Sequence, residues 1–545
     1  MARRCEGMMR YGFVIDQTRC IGCHACTVAC KTEHQVPLGV NRTWVKYVEK
    51  GAWPDTSRFF SIMRCNHCTD APCVAICPTK ALFKREDGIV DFDTDRCIGC
   101  KSCMQACPYD ALYIDPGENT AQKCNYCVHR VEVGIEPACV VVCPTEAIVS
   151  GDLDNPATQI ARMVATEQLS QRAVEQGTKP NLWYKGADEA SLDPLAASTL
   201  AGGGGIWRDT EPGTSWMTVD LTPKANGSRK GPATVEHSES APPRVTYNTD
   251  HPAPWGWRVS SYFLTKGIAA GLVLTLAIAS LLGANLTSSW ARWGTPLVAG
   301  LFLALTGYLL VADLKRPDRF YFLLTKGNPG SWLVRGAWIL GAYALVLGIW
   351  FLAGIAGADD LVQIMMWVGV PLAIATAAYT AFLFGQAEAR DLWQSPMLLW
   401  HMVAGAFAAG GAAASLFSTV IYGYTSALAG VSLTNTFSPD GFEAFVWTMV
   451  GGVGALGVIA LAELASHHPT RNIAAAVHHM TRGHFAREWW VGGLVIGVVT
   501  PIVLGTVGLA TGQDLIAILG GLGAMAGIWF ADDALVRAGQ AVPLS

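Results

Sequence analysis

The sequence predicts a chain in two parts: a cysteine-rich α+β domain at the N-terminus, then an all-α bundle of eight membrane-spanning helices. All 17 cysteines lie between Cys5 and Cys143, and the remaining 402 residues contain none. Only 15% of the 545 residues are charged, against about 25% in an ordinary soluble protein, and 51% are hydrophobic. The net charge of -4 excludes nucleic acid as a partner, because binding a polyanion requires an excess of basic residues.

Long apolar stretches dominate the chain from about residue 258 onwards. A helix needs about 20 residues to cross the hydrocarbon core of a bilayer, and most of the stretches reach that length. Buried helices of a large soluble protein are the alternative, but this part has only 13 Lys and Arg residues with which to build a polar surface. We therefore expect insertion in a lipid bilayer. The predicted spans are 262–283, 293–312, 332–354, 361–385, 397–422, 442–464, 489–510 and 515–535, the last being weakest because it ends near Asp532 and Asp533.

The distribution of basic residues predicts the orientation of the bundle. An even number of spans puts both of its ends on one side of the membrane. Twelve of the 13 Lys and Arg residues fall on that side, and only Arg292 falls on the other. Because basic residues concentrate in cytoplasmic loops, we expect the cysteine-rich domain and both termini to be cytoplasmic. The first 20 residues show no export signal, which agrees, and a reducing compartment disfavours disulfides.

A polar segment separates the two parts. Residues 188–255 are rich in Gly, Ser, Pro and Thr, as in AGGGGIW and KANGSRKGPATVEHSESAPPR. Such a segment is too polar and too interrupted to bury a core, so it predicts a flexible linker. The predicted organisation is a cysteine-rich domain over 1–187, a linker over 188–255 and a membrane domain over 256–545.

Sixteen of the cysteines form four runs of four. In such a run, three thiolates in a tight loop reach three irons of one [4Fe-4S] cluster, and the fourth, expected to start the next short helix, reaches another cluster. Zinc ribbons and disulfides are the alternatives, but structural zinc sites use separated CxxC pairs. The sequence therefore predicts four [4Fe-4S] clusters, with Cys5 as a free thiol. The runs are Cys20, Cys23, Cys26 and Cys30; Cys65, Cys68, Cys73 and Cys77; Cys97, Cys100, Cys103 and Cys107; and Cys124, Cys127, Cys139 and Cys143.

Longer motifs carry a resemblance to known families. RCIGC occurs twice, from Arg19 and from Arg96, and GDLDNP and GTKPNLWY follow the last run. With these motifs the N-terminal part resembles the double, bacterial-type ferredoxin subunits of the polysulfide, DMSO and nitrite reductase type, which bind four clusters. ADLKRPDRFYFLL, followed by NPGSWLVRGAW, makes the C-terminal part similar to NrfD-like, quinone-reactive membrane subunits. The chain looks like a natural fusion of these two kinds of subunit. The resemblance implies that it lies in the bacterial cytoplasmic membrane.

The resemblance also implies how the four runs combine. The first and fourth runs share one pair of clusters, and the second and third runs share the other pair. The implied ligand sets are Cys20, Cys23 and Cys26 with Cys143; Cys124, Cys127 and Cys139 with Cys30; Cys65, Cys68 and Cys73 with Cys107; and Cys97, Cys100 and Cys103 with Cys77.

A quinone site needs an apolar slot for the tail and one or two polar groups for the carbonyls. Polar residues at the cytoplasmic helix ends and ionisable residues inside the membrane are the candidates. Alternatives remain open: Tyr379 also suits an interface or core tyrosine, Asp313 and Arg316 can pair to hold a turn, and Lys266 can snorkel. No haem is expected, because only one histidine lies within a predicted span. The candidates are Tyr262, Lys266, Asp313, Arg316, Tyr379, Gln386, His401 and Glu463.

The leading functional hypothesis is an electron-transfer and quinone-reactive subunit of a respiratory oxidoreductase, an enzyme only as part of its complex. Electrons pass through four clusters between a cytoplasmic catalytic protein and menaquinone or ubiquinone. The resemblance implies a separate molybdopterin (Mo or W) subunit acting on formate, sulfite or a similar small substrate, because no pterin domain fits in this chain. The alternatives are a ferredoxin-fed quinone reductase without a molybdoenzyme, and a transporter or proton pump with a redox-regulatory domain.

Overall fold

A computed structural model describes residues 9–51, 54–199, 242–428 and 441–545. The described residues form two compact units. Unit 1 contains those within Met1–Pro254, with two short pieces, Ala387–Ala389 and Ala541–Ser545. Unit 2 contains those within Trp255–Gln386 and Arg390–Gln540. Cys5 lies outside the described residues.

Unit 1 contains short strands and short helices. Its strands are β1 (Tyr11–Asp16), β2 (Thr43–Lys50), β3 (Ser57–Arg64), β4 (Leu82–Lys84), β5 (Val90–Phe92), β6 (Leu112–Ile114), β7 (Ala121–Lys123), β8 (Ile148–Asp152), β9 (Leu169–Ser170), β10 (Leu182–Lys185), β11 (Ser198–Thr199) and β12 (Arg244–Tyr247). One sheet has the order β8-β1-β10-β9 and another β11-β12-β2-β3, while β4-β5 and β6-β7 are hairpins. Strands β1 and β5 precede the two RCIGC motifs.

The helices of unit 1 are short, and the first five overlap the cysteine runs. They are α1 (Ala25–His34), α2 (Pro72–Ile76), α3 (Ser102–Ala106), α4 (Val128–Val131), α5 (Ala138–Val141), α6 (Gln159–Thr166) and α7 (Glu189–Leu192). The fourth cysteine was expected to start a helix, and this is wrong. Cys30 lies inside α1, whereas Cys77 and Cys107 follow the last residue of α2 and α3 with extended ψ angles of 117° and 113°. A proline follows each of these two, and the residue before a proline disfavours the helical conformation.

The predicted linker differs from the structure at both ends. Helix α7 and strand β11 lie within its first part, and β12 pairs with β2 near its end. Asp188 caps α7 by accepting from the backbone N–H of Ala190, and Val245 is buried against Val48. The ends of the segment therefore belong to unit 1, because their few apolar residues extend an existing sheet. The middle of the predicted linker, 200–241, lies outside the described residues.

Unit 2 consists of long helices joined by short ones. These are α8 (Trp257–Leu281), α9 (Thr295–Ala312), α10 (Phe322–Thr325), α11 (Trp332–Ala356), α12 (Asp359–Gly385), α13 (Met397–Leu428), α14 (Phe442–Ala465), α15 (Arg471–Thr481), α16 (Thr500–Thr511) and α17 (Asp514–Ala541). π-Helical segments at Trp290–Gly294 and Glu488–Val499 lead into α9 and α16. With these extensions, eight helices among the described residues are long and apolar enough to cross a membrane, as predicted: α8, α9, α11, α12, α13, α14, α16 and α17.

Small residues bring the central helices of unit 2 together. A Cβ atom at Gly271 of α8 would lie 1.8 Å from the carbonyl oxygen of Ala406 in α13. A Cβ atom at Gly410 would meet the backbone of Gly271 at 2.1 Å. In a bilayer, where lipid is as apolar as the helix surfaces, such close backbone contact is a main source of helix association. The α8–α13 contact therefore holds in place two helices that carry polar residues of unit 2, such as Lys266 and His401.

Candidate functional site

The four cysteine loops share one backbone geometry. The residue two positions after the first cysteine of each run has a positive φ: Gly22 at 70°, His67 at 44°, Gly99 at 67° and Tyr126 at 63°. This left-handed conformation turns the loop so that successive N–H groups point inwards, as in anion-binding nests. The N–H of Gly99 donates to Sγ of Cys97 at 3.4 Å. Glycine occupies two of the four positions, which the sequence pattern shows, and His67 and Tyr126 occupy the others.

Two of the implied ligand sets line cavities. Cys77, Cys97, Cys100 and Cys103 surround one of about 380 Å³. The second, of about 310 Å³, is lined by the other set of the second and third runs, Cys65, Cys68, Cys73 and Cys107. Each cavity thus gathers three thiols from one run and the fourth thiol from the other.

The first and fourth runs meet in the same way. The thiol of Cys30 lies among Cys124, Cys127 and Cys139, and burial together with these neighbours raises its pKa. Burial raises the pKa of Cys20, and the nearby Cys143 and Cys23 add to that effect. The run containing Cys30 therefore exchanges its fourth thiol with the run containing Cys143.

The chemistry of these thiols fits iron–sulfur clusters. Burial raises the pKa of Cys100 to about 12, and the neighbouring Cys77 adds to this effect, so the free thiol is neutral at pH 7. Coordination to a metal turns such a thiol into a thiolate. The sixteen cysteines in the described residues form no disulfide. Each implied set supplies four thiols, which is the number that a cubane requires for its four irons.

A second polar cluster lies inside unit 2, and Thr380 of α12 is its centre. Nζ of Lys266 donates to Oγ1 of Thr380 at 2.5 Å and to the carbonyl oxygen of Ala377 at 3.1 Å. The hydroxyl groups of Tyr262 and Tyr379 also interact with the Thr380 side chain. Lys266 is 1% exposed and lies 5.0 Å from the centre of the Tyr379 ring. Three of the predicted residues, Tyr262, Lys266 and Tyr379, are thus brought together.

His401 joins this cluster to a buried carboxylate. Its Nε2 atom lies 2.9 Å from Oδ1 of Asp532, which is 3% exposed. A cavity of about 290 Å³ separates the pair from Lys266, and all three residues line it. An imidazole held by a carboxylate is the usual arrangement for accepting and releasing a proton.

His401 also lines a larger cavity of about 640 Å³. Glu463 lies in the same wall and accepts from the hydroxyl group of Ser395 at 3.1 Å. Most of the lining is apolar, and Trp489 and Trp490 come from the π-helical segment before α16. π-Helical turns are frequent at functional sites because they displace side chains from the regular helical positions. The cavity offers an apolar slot with two ionisable groups in its wall.

Two other predicted residues have contacts in the loops. Nε and Nη2 of Arg316 both donate to the carboxylate of Asp318 at 3.0 Å. Gln386 accepts from the N–H of Trp332 at 2.8 Å and donates to the carbonyl oxygen of Gly330 at 2.8 Å. Both residues therefore take part in holding turns. Asp313 interacts electrostatically with Tyr262 and so stays near the cluster.

Two residues of the polar cluster in unit 2, Thr380 and Asp532, are not among the residues predicted from the sequence. Thr380 gave no signal, because a threonine in an apolar helix is ordinary. Asp532 was visible as a carboxylate inside the eighth span, and intramembrane carboxylates are functional candidates by default. In the sequence, Asp532 stands out only as a charge that weakens that span. Its contact with His401, which lies 131 positions earlier in the chain, is visible only in the structure.

Both parts of the chain match known protein families. Residues 246–543 match the family model described as polysulphide reductase, NrfD, and residues 19–82 and 56–153 each match a 4Fe-4S dicluster domain. The protein belongs to the NrfD family. It is an iron–sulfur electron-transfer subunit joined to an NrfD membrane part, and thus a multi-pass membrane protein.

The N-terminal part of this NrfD-family protein is similar to separate iron–sulfur subunits. It is 44% identical to a subunit of tetrathionate reductase from Salmonella typhimurium over 190 residues, which are 34% of this chain and 76% of the relative. It is 42% identical to a polysulfide reductase chain from Wolinella succinogenes over 179 residues, 32% of this chain and 93% of the relative. The arsenate respiratory reductase iron-sulfur subunit ArrB of Shewanella sp. is 34% identical over 224 residues, 32% of this chain and 96% of the relative.

Proposed function

We propose that this chain is the electron-transfer and quinone-reactive subunit of a membrane-bound respiratory oxidoreductase. Its cysteines hold four [4Fe-4S] clusters in the four sets, and unit 2 binds menaquinone or ubiquinone. The observation that carries the proposal is that His401, which pairs with Asp532, lines the cavity of about 640 Å³. An apolar slot with a proton-accepting group suits a quinone ring and its isoprenoid tail.

The chemistry requires one site for protons and another for electrons. Oxidation of a quinol releases two electrons and two protons. The clusters, when bound, accept the electrons one at a time. His401 accepts a proton from a quinol hydroxyl in the cavity, and Asp532 stabilises the resulting imidazolium. Glu463, in the same wall, takes the second proton, and reduction of a quinone uses the same residues in reverse.

We further propose a cytoplasmic, molybdopterin-dependent (Mo or W) catalytic subunit as the partner. That partner acts on formate, sulfite or a similar small substrate. The relatives are subunits of tetrathionate, polysulfide and arsenate reductases by name, which supports a small inorganic compound as an equally suitable substrate. The charge distribution supports the cytoplasmic side for unit 1 and both termini. Arg292, the one exception, forms an ion pair with Asp359 at 2.6 Å and so adds little charge to its face.

Electron exchange with quinone is the first test. The full chain, purified anaerobically, is reduced with dithionite and mixed with a short-chain menaquinone, and cluster absorbance is followed. Rapid reoxidation is expected, slowed at least about tenfold in His401→Ala, since a lost hydrogen bond to a charged group costs about 1.5–3 kcal/mol. Full iron content with no reoxidation by any quinone contradicts the proposal.

The partner is tested by isolating the native complex. A large second chain with stoichiometric Mo or W supports the molybdoenzyme. Reproducible isolation without either metal favours a ferredoxin-fed quinone reductase instead. Labelling of intact cells settles the side of the membrane, because an N-terminal tag that reacts with an impermeant reagent contradicts the cytoplasmic location.

A further inference from the structure

A fully buried cation lies beside the cysteines of the fourth run. Arg64, at the end of β3, is 0% exposed, and its Nη1 atom donates to Sγ of Cys139 at 3.1 Å. Its guanidinium group packs 4.5 Å from the centre of the Phe13 ring. Nε and Nη2 have no hydrogen-bond partner in the part of the chain that the structure describes. A buried charge is costly unless it is paired, so a negative group is expected at this place.

A second buried cation stands at the neighbouring set. Lys123, at the end of β7, is 0% exposed, and its Nζ atom donates to the carbonyl oxygens of Val90 and of Cys124, the latter at 2.9 Å. Its side chain also interacts with the thiol of Cys65. Cys124 and Cys65 belong to different ligand sets. Lys123 therefore lies where the set containing Cys65 approaches the set containing Cys124.

Buried cations act differently on the two redox states of a cluster. A [4Fe-4S] cluster with four thiolates carries two negative charges when oxidised and three when reduced. A fixed positive charge nearby stabilises the more negative form, and the interaction is strong where water is excluded. The cation therefore raises the reduction potential of the cluster beside it.

We propose that Arg64 and Lys123 are positioning residues that raise the potentials of two adjacent clusters above what their thiolates alone would give. Arg64 acts on the cluster of Cys124, Cys127, Cys139 and Cys30, and Lys123 acts on the cluster of Cys65, Cys68, Cys73 and Cys107. This rests on the proposed four clusters. Clusters held in these two ligand sets would supply two one-electron acceptors, which together match the two electrons of one quinol.

The test is a redox titration of the purified full chain, followed by electron paramagnetic resonance. Arg64→Gln is expected to lower the potential of one cluster, and Lys123→Met that of another. At a fixed ambient potential, the ratio of reduced to oxidised cluster falls about tenfold, or about 59 mV for one electron. Arg64→Lys keeps the charge and is expected to retain most of the potential. The matched control is Arg58→Gln, on the same strand but paired with Glu49 and 54% exposed in its side chain.

Several outcomes overturn the proposal. It fails if all four potentials stay at their wild-type values, if they fall together, or if Arg58→Gln has the same effect as Arg64→Gln. Loss of iron in both Arg64→Gln and Lys123→Met also overturns it, because the cations are then needed for assembly. These readings do not involve quinone, so they are separate from a failure of the quinone site.

Discussion

Nε2 of His401, on α13, lies 2.9 Å from Oδ1 of Asp532, on α17, and His401 lines two cavities inside unit 2. The next residue, Asp533, is equally buried but faces another way. It accepts from the hydroxyl group of Ser260 at 2.9 Å and pairs with Arg537 at 3.0 Å. Two adjacent carboxylates therefore have different partners, and only one of them contacts the histidine.

This contrast gives a matched pair of variants. Asp532→Asn removes the charge that stabilises a protonated His401, so quinol oxidation is expected to slow at least about tenfold, from about 1.5–3 kcal/mol for a charged hydrogen bond. Asp533→Asn changes the same helix and leaves His401 alone, and its rate is expected to stay within a factor of about three. Steady-state turnover with a soluble quinol and iron content measure both. Equal rates in the two variants would remove the pair from the mechanism.

The larger cavity gives a second prediction, about binding. Ala460 lines it, whereas Val458, on the same helix, is 67% exposed on the outer surface. Ala460→Phe fills part of the slot, so we expect KM for the quinol to rise about tenfold or more, as removing a few apolar contacts costs about 1–3 kcal/mol. Val458→Phe adds the same ring towards lipid and is expected to leave KM unchanged. If Val458→Phe raises KM as much as Ala460→Phe does, the quinone binds elsewhere.

The sequence was sufficient for the parts of the fold that repeat. Cysteine spacing marked the four loops, and apolar length marked the eight spans, because both signals are local. Contacts between distant residues were not accessible in this way. Nothing near Asp532 in the sequence indicates His401, and nothing near Cys139 indicates Arg64, because each pair is formed by the folding of separate elements.

The same limit applies to other predicted residues. Arg316 and Gln386 are predicted because they are polar and lie near helix ends, but position along the chain does not show which way a side chain points. Their contacts with Asp318 and with the carbonyl group of Gly330 are visible only in the structure. The prediction that the fourth cysteine of a run starts a helix is wrong at Cys77 and Cys107 because each of them precedes a proline, which disfavours the helical conformation.

Gly22 gives a prediction about cluster assembly. It has a φ of 70°, and a Cβ atom there would lie 2.5 Å from the Phe60 ring. Gly22→Ala is therefore expected to displace the loop of the first run and to lose about four irons per chain. Gly39→Ala is the control, because Gly39 has a φ of 83° but no heavy atom within 4 Å of such a Cβ. Iron analysis distinguishes the two, and equal loss from both would show that backbone strain alone is responsible.

Gly271 gives a prediction about the membrane bundle. A side chain there would collide with the backbone of Ala406, so Gly271→Val is expected to destabilise unit 2 by about 1–3 kcal/mol or more. Gly300, in α9, has open space at its Cβ position, and Gly300→Val is expected to be tolerated. Thermal unfolding in detergent measures the difference. Equal melting temperatures would mean that α8 and α13 do not pack as closely as described.

The loop after the sixth span contains a buried histidine whose titration affects stability. His479 in α15 is 0% exposed, and this burial lowers its pKa to about 4 from an ordinary 6.5. The charges of His478 and His484 add to this effect. Folded chains then bind fewer protons at this site than unfolded ones. The free energy of unfolding is therefore unaffected above about pH 6.5 and falls as the pH drops from about 6.5 to about 4. The loss is of the order of 3 kcal/mol, since one pH unit of difference is worth about 1.4 kcal/mol.

Thermal melting in detergent between pH 7.5 and 4.5 measures this loss. His479→Phe is expected to flatten the acid side of the profile, because the ring that must stay neutral is gone. His467→Gln, at an exposed position in the same loop, is expected to leave the profile unchanged. If His467→Gln flattens the curve as much as His479→Phe, the acid sensitivity belongs to the solvent-exposed histidines rather than to the buried ring.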